Sequence, residues 1–220
     1  MLRRLTTRIL EKSLTSYILL IIILAIMLSP IIFTLLTSLK TRAETFSWPP
    51  TYLPKKPTLQ AYQEVLFRSP ILRHLLNSLI ISAGTTTIVI VGGLLTAYGL
   101  SHYKFKGSKM VLLVFIVTRI IPPISLLVPF YMIMSFLRLI NTYAVLMLLN
   151  TFLWYPFAIW MLKSFIDKFP RELIDSAIVD GCNRTSAFFR IVVPVSAIGI
   201  AAVAIITFLW TWNEFLYGII

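Results

Sequence analysis

The sequence predicts an all-α integral membrane protein with five transmembrane helices and a cytoplasmic helix–turn–helix loop between the fourth and the fifth. Three observations carry that class. Hydrophobic residues make up 58% of the 220 residues and charged residues only 13%, with a mean hydropathy of +0.89; a soluble chain of this size needs far more charge to cover its surface. Solid apolar runs of about 20 residues, the length a helix needs to cross a bilayer, recur along the chain, where a β-barrel would alternate instead. Finally, one polar stretch with helical periodicity, residues 167–194, separates the last two apolar runs.

Residues 1–16 carry Arg3, Arg4, Arg8 and Lys12 against Glu11 and read as an N-terminal segment ahead of the membrane domain, 17–220. The first span covers about 17–39, and Pro30 inside it predicts a bend, tolerated in membranes where the freed carbonyl finds another donor. Residues 40–74 are extramembrane, with WPPTYLPKKP at their centre; that much proline argues against regular structure, although TLQAYQEVLFRSP predicts a short surface helix. The second span covers about 75–101, and its glycines suit close helix packing. HYKFKGSK is a short basic loop. The third span, about 110–136, is interrupted by Pro122, Pro123 and Pro129; the fourth, about 141–166, contains Pro156; the fifth covers about 195–217.

The net charge of +12 follows from basic residues flanking spans, as topology requires, and calls for no nucleic-acid partner. Placing the N-terminus in the cytoplasm puts twelve Lys and Arg inside against seven outside, with Arg119 left within a span. The bias predicts a multi-pass cell-membrane protein with a cytoplasmic N-terminus, and so places the polar loop in the cytoplasm.

That loop reads FPRELIDSAIVDGCNRTSAFFRIVVP from Phe169 to Pro194. Pro170 suits a first helical turn. Leu173, Ile174, Ala177 and Ile178 share one face, while Glu172, Asp175, Ser176 and Asp180 fall mostly on the other. Gly181 can take the left-handed conformation that ends a helix, and Asn183 or Thr185 can cap a second helix carrying Phe188, Phe189, Ile191 and Val192.

The stretch resembles the EAA loop of ABC import permeases, the membrane subunits of binding-protein-dependent uptake systems. Asp175-Ser176-Ala177 stands for EAA, Asp180-Gly181 for the following DG, Phe188 for the Phe, and Ile191-Val192-Val193-Pro194 for the Ile-x-Leu-Pro ending; Asp for Glu, Ser for Ala and Val for Leu are the departures. RIIPPISLLVPFYMIMSFLRLINTY and FLWTWNEF resemble the maltose-type, carbohydrate-uptake branch, and the likeness covers nearly the whole chain. It implies a second homologous permease subunit, separate ATPase subunits, an extracytoplasmic solute-binding protein and surrounding lipid. It also implies a coupling role for Asp175, Ser176, Ala177, Asp180, Gly181, Cys182 and Asn183, with small Ala177 permitting close approach to the ATPase. The implied cargo is a sugar, of di- or oligosaccharide size, with glycerol phosphate or another polar solute as the alternative. Members of this branch carry a sixth span after WNEF, so a chain stopping at Ile220 predicts a truncation, which an intact-mass measurement of the native protein tests.

Other residues stand as candidates for the solute path. Arg119 is an ionisable residue within a span, where either a pathway role or packing and snorkelling accounts for it. Pro122, Pro123 and Pro129 break the backbone near mid-membrane, as a gate or as a kink. Asn213 and Glu214 lie among Trp210 and Trp212, which offer either stacking faces for a sugar or an interfacial belt. His74, His102 and Cys182 are isolated, and no cofactor or metal is expected. With no GxxxxGK[ST] loop and no nucleophile–base pair, the chain is expected to be no enzyme; ATP hydrolysis belongs to a partner. The rival reading is a self-contained secondary transporter or channel, which would place a coupling acid near mid-membrane.

Overall fold

The computed structural model describes residues 2–103, 105–168, 170 and 172–219, with side chains from residue 16 onward. Lys104, Phe169 and Arg171 of the polar loops, and the side chains of Arg3, Arg4, Arg8 and Lys12, lie outside the described residues. The chain divides into two compact units, one ending at Arg73 and the other starting at His74.

The first unit opens with α1 (Leu2–Ser38), in which Ser16–Ser38 is long and apolar enough to cross a membrane. The helix is continuous from Leu2, so no break sets residues 2–16 apart from the span. Pro30 lies inside it. Its missing N–H would leave the Ile26 carbonyl without a donor, and Ser29 Oγ donates to that carbonyl at 2.8 Å. The proline-rich stretch is more ordered than its composition predicts: α2 (Arg42–Thr45) and α3 (Gln60–Arg68) form within it. Prolines remove backbone donors, so side chains carry much of the order. Glu44 Oε1 accepts from Lys55 N–H at 2.7 Å and from Thr51 Oγ1 at 3.2 Å. Buried Lys40 donates its ammonium to the Thr51 carbonyl, and Arg42 pairs with Glu64 at 3.1 Å.

α4 (Ile71–His102) starts at Ile71 rather than near Leu75 and is followed by α5 (Ser108–Thr118). The predicted third span is not one helix. After α5, Arg119 and Ile120 make tightened bonds to Ile116 and Val117. Each proline forces the residue before it out of the helical region, so Ile121 and Pro122 cannot continue the helix; Pro122 is extended (φ −60°, ψ 130°) and a 3-10 turn starts at Pro123. α6 (Leu127–Phe136) then departs, and the two parts meet at 93°. Pro129 costs nothing, because it sits in the first turn of α6, where N–H groups have no helical partner.

Contacts decide which way this broken element runs. On α4 and α7 (Tyr143–Ile166), partners ascend together. Tyr143 donates to Asn77 at 2.9 Å, Thr96 and Tyr155 share a hydroxyl contact of 2.8 Å, and Ser101 donates to Asp167 at 2.6 Å. The two helices are therefore parallel. A re-entrant loop between them would make them antiparallel, so α5 and α6 together return the chain to the side where α4 began. Phe115 against Tyr155, Arg119 against Leu153 and Phe130 against Phe152 trace that return. α5 alone spans about 16 Å, half of the roughly 30 Å hydrocarbon layer, so neither half crosses by itself.

Beyond α7 come α8 (Glu172–Val179) and α9 (Arg184–Ala187). A π-helical turn over Phe188–Val192 leads into α10 (Val193–Val195) and α11 (Ala197–Trp212), with a 71° bend where α11 begins. The fifth predicted span thus shortens to α11, and residues 213–217 leave the helix. α11 runs antiparallel to α7: Gly199 meets Phe165 near one end, and Trp210 stacks on Trp154 (4.3 Å) toward the other. One core cluster joins Val89 and Ala97 of α4, Ala158 and Leu162 of α7, and Val203 of α11 with residues of the loop.

Candidate functional site

Two groups of candidate residues emerge, one at the loop and the other around the break between α5 and α6. The first is the loop from Asp167 to Pro194. Gly181 has φ +89°, the region that L side chains resist. Around it the chain closes a Schellman motif: Cys182 N–H bonds to Ala177 O at 2.9 Å and Gly181 N–H to Ile178 O at 3.1 Å. Half-buried Cys182 packs on the core cluster, the apolar contact such a motif favours. Asn183, rather than Thr185, caps the second helix, its Oδ1 accepting from Ser186 N–H at 2.7 Å. Pro170 precedes α8 instead of opening it, its carbonyl accepting from Leu173 N–H.

The amphipathic face differs from the prediction. Only Ile174 and Ala177 turn inward, while Leu173, Ile178 and Val179 are exposed. Ala177 is 7% exposed and belongs to the chain's own core, so its small size lets α8 pack closely on this protein. Asp175, Ser176, Asp180, Gly181 and Asn183 are exposed. The loop presents acids and apolar side chains outward from a scaffold held by Phe188 and Val192, both buried.

The second group surrounds the break between α5 and α6. Pro156 offers no N–H to Phe152 O, and its ring crowds that turn; Arg119 enters the loosened turn and donates Nη1 to Leu153 O at 2.9 Å. Its guanidinium lies 5.0 Å from the Trp154 ring, which stacks in turn on Trp210. Asn213 caps α11 through Nδ2 to Leu209 O at 2.7 Å. Glu214 accepts the Tyr217 N–H at 2.8 Å, and the buried Tyr217 donates its hydroxyl to Pro123 O at 3.2 Å. Arg119, Pro123 and Glu214 are thus joined through α7 and Tyr217. Trp210 and Trp212 stack on the chain's own Trp154 and Phe208, and both stay partly exposed. Arg119→Met is expected to lower stability by about 1.5–3 kcal/mol, the worth of a hydrogen bond from a charged group, with Arg119→Lys recovering part of it; thermal midpoints in detergent measure both.

Tyr98, Trp154 and Tyr217 were not legible as site residues. Trp154 lies two residues before Pro156, and Tyr98 stands one helical turn before His102; neither spacing reveals a partner more than fifty residues away. Among the described residues no group of three His, Cys, Asp or Glu could hold a metal ion.

Residues 88–219, more than half of the chain, match the family described as binding-protein-dependent transport system inner membrane component. The chain belongs to this family. It is therefore an inner-membrane transport component and a permease in class, not an enzyme. Among permease relatives, it is 37% identical over 192 residues to the sulfoquinovosyl glycerol transport system permease protein SmoH of Agrobacterium fabrum, covering 87% of this chain and 67% of that one. It is 30% identical over 201 residues to the diacetylchitobiose uptake system permease protein NgcG of Streptomyces coelicolor, covering 91% and 66%. A crystal structure of a bacterial ABC transporter involved in the import of the acidic polysaccharide alginate shares the permease fold, with a TM-score of 0.80 at 19% identity, over 92% of this chain and 71% of that chain.

Proposed function

We propose that this chain is the membrane-spanning permease subunit of an ATP-driven ABC importer for a sugar, with loop 167–194 resting on a separate ATPase in the cytoplasm. The observation that carries the reading is the loop itself. A capped, glycine-closed helix pair projects Asp175, Asp180, Leu173, Ile178 and Val179 outward while its inner face is locked to three spanning helices. Such an element moves as a body and passes that movement on. When ATP closes the ATPase dimer, the loop follows its docking groove and tilts the helices between an outward-open and an inward-open arrangement. A second homologous permease completes the pathway, and an extracytoplasmic binding protein delivers the solute.

Charge supports the orientation. The loop end of the second unit's helices holds eight Lys and Arg in sequence, and the opposite end only Arg138. The solutes in the names of the relatives, a single-sugar glycoside of glycerol and a disaccharide, support a small glycoside as cargo.

Two measurements test this. Affinity purification of the native chain is expected to bring down a nucleotide-binding subunit; a lone chain that transports in vesicles would favour the self-contained rival. Asp180→Cys in a Cys182→Ala background is expected to react with an impermeant maleimide only in inside-out vesicles. Labelling from the other face would invert the topology.

A further inference from the structure

Loop 167–194 is joined covalently to α7 and α11, yet much of its side-chain contact is with α4, more than sixty residues upstream. Tyr98, in the second-last turn of α4, is 8% exposed and its ring lies 5.0 Å from that of Phe188. His102 stacks on Tyr98 at 5.2 Å with the planes 10° apart, and Tyr103 meets both rings edge-on. Arg184, in the second helix of the loop, places its guanidinium 5.6 Å from the Tyr103 ring. Ser101 donates to Asp167, which also pairs with Lys163 at 2.5 Å. Contacts of three chemistries therefore fasten the last turns of α4 to the loop. Farther up, α4 lies close against α7: a Cβ at Gly93 would stand 3.4 Å from Ala158 Cβ. That close approach is a natural pivot, with the turns from Leu94 to Tyr103 as the lever beyond it.

We infer that Tyr98 is a positioning residue that carries the movement of the loop into α4, so that the ATPase drives α4 directly as well as α7 and α11. The inference rests on the coupling role proposed for the loop. Packed interiors transmit displacement because they have no slack, and the Tyr98–Phe188 pair is the buried part of the junction. The Tyr98 hydroxyl is buried without a hydrogen-bond partner. The ring carries the contact, and the hydroxyl has no bond in it to lose.

Hydrogen–deuterium exchange on the assembled transporter, nucleotide-free and with ATP bound, tests this without knowledge of the solute. In wild type, ATP is expected to change exchange in both 172–187 and 94–103. Tyr98→Phe retains both changes. Tyr98→Ala keeps the change in 172–187 and reduces that in 94–103 by about fivefold, the ratio that an aromatic pair's worth corresponds to. Phe188→Leu, which keeps apolar bulk, does the same should Tyr98→Ala fail to assemble. An α4 response that persists without either ring, or that is lost in Tyr98→Phe, overturns the role of the ring. A wild-type loop that shows no response to ATP overturns the coupling reading itself.

Discussion

Gly181→Val is expected to abolish ATP-driven uptake while the protein still inserts into the membrane. The cause is backbone strain, not crowding, because a Cβ at Gly181 would meet nothing within 4 Å. A residue at φ +89° costs roughly 1–2 kcal/mol when it carries a Cβ, and a β-branched side chain costs more. The turn relaxes to another conformation, and the Schellman bonds from Cys182 and Gly181 to α8 open. α8 then leaves the angle at which Ile174 and Ala177 reach the core. The spans do not depend on this turn, so expression and membrane integration remain. Gly181→Asn, a residue that tolerates the left-handed region, restores most of the uptake. Uptake and membrane-fraction yield, measured side by side, separate a coupling defect from a folding defect; normal uptake by the Val variant would remove the loop from the mechanism.

Gly199→Val is expected to give the largest loss of stability among the glycine positions. A Cβ there would stand 2.6 Å from Phe165 Cγ and 3.1 Å from Phe165 Cβ. Those atoms are the base of the ring, which cannot swing away as a flexible tip can. α7 and α11 must separate, at a cost of about 1–3 kcal/mol or more for overpacking, at the helix pair that meets next to the loop. Gly99→Ala is the control. It lies in α4 with nothing within 4 Å, and a helix interior gains about 0.5–1 kcal/mol from Ala over Gly. The thermal midpoint of the detergent-solubilised protein should fall for the first variant and hold or rise for the second.

Much of the loop was legible in sequence because its signals are local. Gly181 and Asn183 act on backbone groups within five residues, and the structure uses both as their chemistry dictates. Apolar run length likewise announced α1, α4 and α7. What was not legible depends on distant partners. The helical pattern of α8 put four apolar residues on one face, but only neighbours from α4 and α9 decide that Ile174 and Ala177 turn inward while Leu173 and Ile178 do not. The two prolines at 122–123 foretold an interruption; the 93° bend and the direction of the return followed only from the parallel pairing of α4 with α7. The Arg119 side chain could not be assigned from sequence because its acceptor is a backbone carbonyl in another helix. Backbone acceptors leave no mark on the residue sequence.

The Ser29 hydroxyl on the Ile26 carbonyl has a consequence for biogenesis. An orphaned carbonyl in hydrocarbon costs several kcal/mol, and a helix carrying one must wait for a companion to relieve it. α1 has no such debt, since the remedy is one residue from the fault. It can enter the lipid as soon as it emerges from the ribosome and reside there alone until later segments arrive, as stepwise assembly of membrane proteins requires.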